Sequence, residues 1–122
     1  NFVLQAVFEA QPAPAEEMER LLEAARARRK LSQPVGASAG CIFKNPPEIP
    51  AGRLIDELGL KGACVGDACV SDVHANFIIN RGHARARDIT ILIDMIRKEA
   101  KENRGIDLKS EAQVIGDRDP QF

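Results

Sequence analysis

Gly62-Ala63-Cys64-Val65-Gly66-Asp67-Ala68-Cys69-Val70, then Asn76-Phe77-Ile78-Ile79-Asn80, then a periodic run from Ala86 to Asn103: this order of residues decides the fold. The first piece is built of small apolar residues split by Gly66-Asp67 and reads as a strand with a turn or bulge. The second is a short aromatic and β-branched run closed by Arg81-Gly82, which reads as a strand followed by a turn. In the third, Ile89, Leu92, Ile93, Ile96 and Ala100 recur on one helical face, and Gly105 predicts the stop. Strands interleaved with helices in this way predict an α+β fold, a small mixed sheet with helices packed on it.

The same reading extends outward. Ala51 to Leu58 is a short helix with Leu54, Ile55 and Leu58 on one side and Gly59 as its cap. Before it, Asn45-Pro46-Pro47-Glu48-Ile49-Pro50 is an irregular connection, and Ile42-Phe43 form a short strand that Pro46 ends. Leu31 to Ala39 reads as a loop. A helix from Ala15 to Lys30 carries the stripe Met18, Leu21, Leu22, Ala25, with an acidic start and a basic end that complement its dipole. Gln11-Pro12-Ala13-Pro14 is a break. Residues 2–9 alternate, with Phe2, Leu4, Ala6 and Phe8 on one face, and predict a strand. Two short extended pieces, Ile106 to Leu108 and Ala112 to Ile115, follow the last helix.

The chain has 122 residues, one domain's worth, and 44% of them are hydrophobic, enough for a core. With no Trp or Tyr and only 5 Phe, that core is mostly aliphatic. A formal net charge of -1 gives no reason to expect a nucleic-acid partner. No apolar run reaches the ~18 residues of a membrane span. The 3 cysteines, an odd set, point to reduced thiols and a cytoplasmic setting rather than a disulfide scaffold. The chain opens on Asn1 and on a strand already under way, as the later part of a longer protein would.

Chemistry concentrates in Ser38-Ala39-Gly40-Cys41-Ile42-Phe43-Lys44-Asn45-Pro46. Gly40 admits close approach of a ligand or another backbone. A thiol beside a cation and an amide serves as acid, nucleophile or ligand, or is a buried structural cysteine; the residues alone leave these open. Cys64, Cys69, His74 and His83 bring thiols and imidazoles together, but without the tight pairs that structural zinc sites use. No dinucleotide fingerprint, P-loop or GxSxG elbow is present. Glu111 opens the last apolar run, where an exposed carboxylate ordinarily has no role.

The segments Gln33-Pro34, Ser38 to Pro46, Ala51 to Ile55, Gly59 to Gly62, Val70-Ser71, His74 to Asn80 and Ile106 to Gly116 resemble, in order, the UDP-N-acetylenolpyruvoylglucosamine reductase (UDP-N-acetylmuramate dehydrogenase) family. The resemblance covers residues 30–116. It implies a C-terminal substrate-binding domain over residues 15–122, with residues 1–14 the end of, or crossover from, an FAD-binding N-terminal region. That family serves peptidoglycan synthesis: NADPH reduces FAD, and the flavin reduces UDP-N-acetylglucosamine enolpyruvate to UDP-N-acetylmuramate. The resemblance implies Cys41 as proton donor, where a serine is commoner, and Glu111 as the catalytic glutamate stabilising the developing enolate. It further implies Asn45, Lys30 and His74 as substrate-binding residues. Ala63-Cys64 stands where an aromatic-basic pair is common, and Asp67 where glycine is common.

Two other functions are consistent with the residues. A free-standing nucleotide-sugar binding module, or a diverged inactive paralogue, would bind the UDP-sugar without turnover. A zinc-stabilised interaction module would carry bound metal.

Overall fold

The computed structural model describes residues 3–115. Contacts divide the chain into two compact units, Asn1–Leu31 and Ser32–Phe122. The first is dominated by helix α1 (Ala15–Ser32), which has Glu16 and Glu17 in its first turn and Arg29 and Lys30 in its last. These ends match the helix dipole as the sequence predicts. None of its residues is buried, and Met18, Leu21 and Leu22 are each at least half exposed. The strand predicted over 2–9 does not form across the described residues 3–9, which are exposed and lack regular structure. Alternation alone does not make a strand. The backbone N–H and C=O groups need a ladder partner, and without one they bond to water. Phe2 lies outside the described residues.

The second unit contains the sheet. Its strands are β1 (Ala37–Cys41), β2 (Cys64–Val65), β3 (Ala68–Val70) and β4 (Phe77–Asn80), in the order β1-β4-β3-β2. The class is α+β, but the sheet is antiparallel at all its pairings rather than mixed. Short connections explain this for β2, β3 and β4. Parallel neighbours need a crossover of a dozen or more residues, and here a two-residue turn joins β2 to β3 and Ser71–Asn76 joins β3 to β4. Gly66 takes φ 54 at the first turn position, a conformation that suits glycine. The turn register makes Cys64 and Cys69 direct cross-strand partners, 4.1 Å apart at Cα. They form a disulfide, which corrects the expectation of reduced thiols at these two positions and removes both as thiolate ligands for zinc. Cys41 remains the free cysteine.

β1 begins at Ala37, earlier than the sequence suggests, because its ladder runs with β4 from Ala37↔Asn80 to Cys41↔Phe77. The register shifts between Ser38 and Cys41, so β1 is irregular as it reaches the cysteine. Helices α2 (Ala51–Glu57) and α3 (Ala86–Arg104) lie where predicted. α3 packs on β2, β3 and α2, and ends at Gly105 in the left-handed region, φ 66. The Gly105 N–H returns to Lys101 O at 2.9 Å, closing the last turn.

The core is aliphatic apart from Phe43 and Phe77. Leu54 and Ile55 of α2, and Leu92, Ile93, Ile96 and Ala100 of α3, meet Ile42, Phe43, Ala68, Val70, Ile78 and Leu108. This burial fixes the 41–45 segment between β4 and the chain after α3. On that second side, Phe43 forms an isolated antiparallel bridge to Ser110.

Candidate active site

A cleft of about 330 Å³ opens beside the end of β1. Its wall includes Cys41, Asn45, Gly52, Arg53, Lys61 and His74. That size falls at the lower end of small-molecule sites.

Cys41 is half-buried, and its two following residues are held from both sides. On one side, Ile42 N–H donates to Asn76 O at 2.9 Å. On the other, Glu111 N–H donates to Ile42 O at 2.7 Å, and Lys44 N–H to Lys109 O at 2.9 Å. Glu111 is therefore tethered through a single peptide to the residue after Cys41, although 70 positions separate the two in sequence. Burial pushes the Cys41 thiol above its ordinary pKa, and the Glu111 charge adds to that; a hydrogen bond from the Asn76 side chain opposes them. The net effect keeps the proton on sulfur at neutral pH, leaving a thiol able to donate rather than a thiolate.

Asn45 is exposed at the cleft mouth. Its Oδ1 accepts the Ala51 N–H at 2.9 Å, which caps the first turn of α2. With Oδ1 so engaged, the Nδ2 donors are the atoms it can offer to an anionic or carbonyl oxygen. His74 accepts the Asn76 N–H on Nδ1 at 3.2 Å, so in the neutral ring Nε2 carries the proton. Its ring packs edge-on to Phe77, with centroids 5.0 Å apart. Ser71 Oγ accepts from both Val73 N–H and His74 N–H, shaping the loop that delivers the imidazole. Gly52 makes room for it: a Cβ there would stand 2.8 Å from His74 Cε1.

The structure thus gathers Cys41, Asn45 and His74 on one cleft and ties the Glu111 backbone to Ile42, the residue after Cys41. Lys30 lies in the last turn of α1, in the first unit, and is not among the residues lining this cleft. Sequence reading missed Arg53, Lys61 and Asn76. Arg53 and Lys61 are ion-paired to Glu57 and Asp56 at 2.8 and 2.7 Å, and their presence on the wall was not signalled by spacing. Asn76 had a signal, the polar run before a strand.

The chain that carries this cleft has relatives among known proteins. Residues 29–115 match the family model described as UDP-N-acetylenolpyruvoylglucosamine reductase, C-terminal domain. The chain belongs to that family. It is 45% identical over 114 residues to the UDP-N-acetylenolpyruvoylglucosamine reductase of Syntrophobacter fumaroxidans, covering 93% of this chain and 33% of that protein. It is 53% identical over 89 residues to the namesake enzyme of Chloroflexus aggregans, covering 73% of this chain and 30% of that protein. Among solved structures, the UDP-N-acetylenolpyruvylglucosamine reductase of Thermus caldophilus matches with a TM-score of 0.71 and 48% identity, over 85% of this chain and 36% of that one. The chain spans about a third of the length of the relatives it matches.

Proposed function

We propose that this chain is the substrate-binding, proton-donating part of a reductase that converts UDP-N-acetylglucosamine enolpyruvate to UDP-N-acetylmuramate in peptidoglycan precursor synthesis. The observation that carries the reading is the convergence of Cys41 and Glu111 through the Ile42 peptide, beside a cleft with free amide donors on Asn45.

In this reading NADPH is the co-substrate and FAD is bound by an N-terminal region, with the reaction in the cytoplasm. The described residues do not themselves fit FAD. One common mode seats a dinucleotide's pyrophosphate on free N–H groups at a helix N-terminus. At α3 the Asp88 carboxylate already occupies that place, accepting the Arg85 N–H at 2.9 Å. At α2 the Ala51 N–H is taken by Asn45, and α1 opens on Glu16 and Glu17, which repel phosphate.

Reduction of the enolpyruvyl double bond adds one hydride and one proton. The hydride source lies outside these residues. The proton comes from Cys41 Sγ–H to the carbon that carries the developing negative charge, leaving a thiolate that water reprotonates. Because the thiol pKa is raised, the donor is loaded at neutral pH. While ionised, Glu111 helps hold that proton on sulfur; carrying a proton in the substrate complex, it donates a hydrogen bond to the substrate carboxyl group and stabilises the enolate. Asn45 Nδ2 donates to the substrate and His74 lines the pocket; for Lys30 a contact with the diphosphate rests on the family resemblance alone.

The test is NADPH oxidation by the full-length protein with and without the enolpyruvyl UDP-sugar. Substrate-dependent oxidation with formation of the lactyl ether is the expected result. Tight binding of the UDP-sugar with no oxidation would instead make this a nucleotide-sugar binding module or inactive paralogue.

A further inference from the structure

Asn76 is one of the buried polar residues of the chain, 3% exposed, alongside Ser71 at 5%. The role proposed for Cys41 does not use it. Its side chain lies against the segment that follows the cysteine. Phe43 N–H donates to Asn76 Oδ1 at 2.9 Å, and Asn76 Nδ2 donates to Phe43 O at 2.8 Å. Its own backbone O accepts the Ile42 N–H. The regular β1–β4 ladder stops at Cys41↔Phe77, where the register has already shifted. From there the Asn76 amide replaces a strand: it satisfies both backbone groups of Phe43, as a partner peptide would. A side chain that bonds both groups of one residue fixes the path of the chain on either side of it. Cys41 is two residues away, at the cleft that Asn76 also lines.

We propose that Asn76 is a positioning residue for the Cys41 thiol, gripping Phe43 by both amide atoms so that Sγ is held toward the substrate carbon. This rests on the reading of Cys41 as proton donor. Besides Asn76, the groups that face or share the cleft with the thiol are Glu111, His74, Arg53, Asp56 and Lys61. Of these, Glu111 is the one that acts on the thiol's ionisation, in the direction opposite to Asn76.

The test uses the full-length protein and two variants, Asn76→Ala and the isosteric Asn76→Asp, which keeps the acceptor and loses the donor to Phe43 O. Flavin reduction by NADPH is expected to be unchanged in both. Reoxidation by the enolpyruvyl UDP-sugar is expected to slow by as much as about 10²-fold, the cost of a misplacement near 1 Å. In a Cys41→Ala background the Asn76 substitutions are expected to add no further loss, because Asn76 acts through the thiol. Alkylation of Cys41 by iodoacetamide, followed against pH by mass spectrometry of its peptide, is expected to show a higher thiol pKa in Asn76→Ala. Wild-type reoxidation rates in a folded variant would overturn the proposal, as would an equal additional loss in the Cys41→Ala background. If Cys41→Ala itself reoxidises normally, the reading of Cys41 as donor fails. An alkylation profile that stays at wild type in Asn76→Ala would instead overturn Asn76's hold on the thiol.

Discussion

At the scale of the residue, the proposed chemistry turns on a thiol at a position where the family resemblance implies that a hydroxyl is commoner. An alcohol gives up its proton reluctantly; a thiol, with an ordinary pKa of about 8.5, does so readily. The danger for a thiol is to lose its proton too early. Burial and Glu111 guard against that by raising the pKa of Cys41. The sign of the pH dependence follows: the donor is loaded below the raised pKa and emptied above it. Reoxidation of the reduced enzyme is therefore expected to hold through neutral pH and fall on the alkaline side, above the ordinary thiol range. Glu111→Gln is expected to move that alkaline limb down, since the charge that holds the proton is gone. A Cys41→Ser enzyme is expected to retain measurable turnover and to lose the alkaline limb, because the alcohol does not ionise in that range. A pH–rate profile of the three proteins checks all of this.

At the scale of the element, glycine positions and one hairpin carry the expectations. Gly52 sits in the first turn of α2 against the His74 ring. Gly52→Ala gains helix propensity of about 1 kcal/mol, but its methyl displaces an imidazole pinned by the Asn76 N–H and Phe77. Little change in melting temperature and weaker UDP-sugar binding by calorimetry are the expected outcomes. Gly105→Ala meets no neighbouring atom and costs only backbone strain at φ 66, on the order of 1 kcal/mol of stability. The Cys64–Cys69 link closes a loop with a sequence separation of 5, so its removal costs on the order of 2 kcal/mol in the chain-entropy account. The hairpin keeps the Gly62 N–H to Val70 O and Val70 N–H to Ala63 O bonds. Reductant is expected to lower the denaturation midpoint without unfolding the sheet, as circular dichroism would report. These elements were legible to different degrees. α3 and α2 carry helical periodicity and glycine stops, so their limits could be read directly. The 2–9 run carried equally clear alternation, yet periodicity says which face a strand would bury and nothing about whether a partner edge exists. The Cys64–Cys69 pairing depends on hairpin register, which the Gly66-Asp67 turn sets and which cysteine counting does not see.

At the scale of the whole molecule, the second unit has its own core and carries the cleft with it. Leu92→Ala, at a fully buried centre of that core, is expected to cost about 2–5 kcal/mol of stability. The site was readable only in part. Cys41 and Asn45 are near neighbours in a local run, whereas Glu111 reaches Cys41 only through the bridge between 42–44 and 109–111, a long-range pairing that no spacing encodes. The resemblance supplied Glu111, whose backbone the structure sets against Ile42, next to Cys41. For Asn76 the polar run before the strand was visible, but an amide that replaces a strand partner has no sequence signature of its own. In the proposed reaction this chain donates the proton and a flavin-binding region supplies the hydride. The 122-residue chain alone is accordingly expected to be colourless and to leave NADPH unoxidised. The most direct test of that division is stopped-flow absorbance of the flavin in full-length Cys41→Ala, first reduced by NADPH and then mixed with the enolpyruvyl UDP-sugar. The expected result is normal reduction followed by arrested reoxidation; reoxidation at the wild-type rate would contradict it.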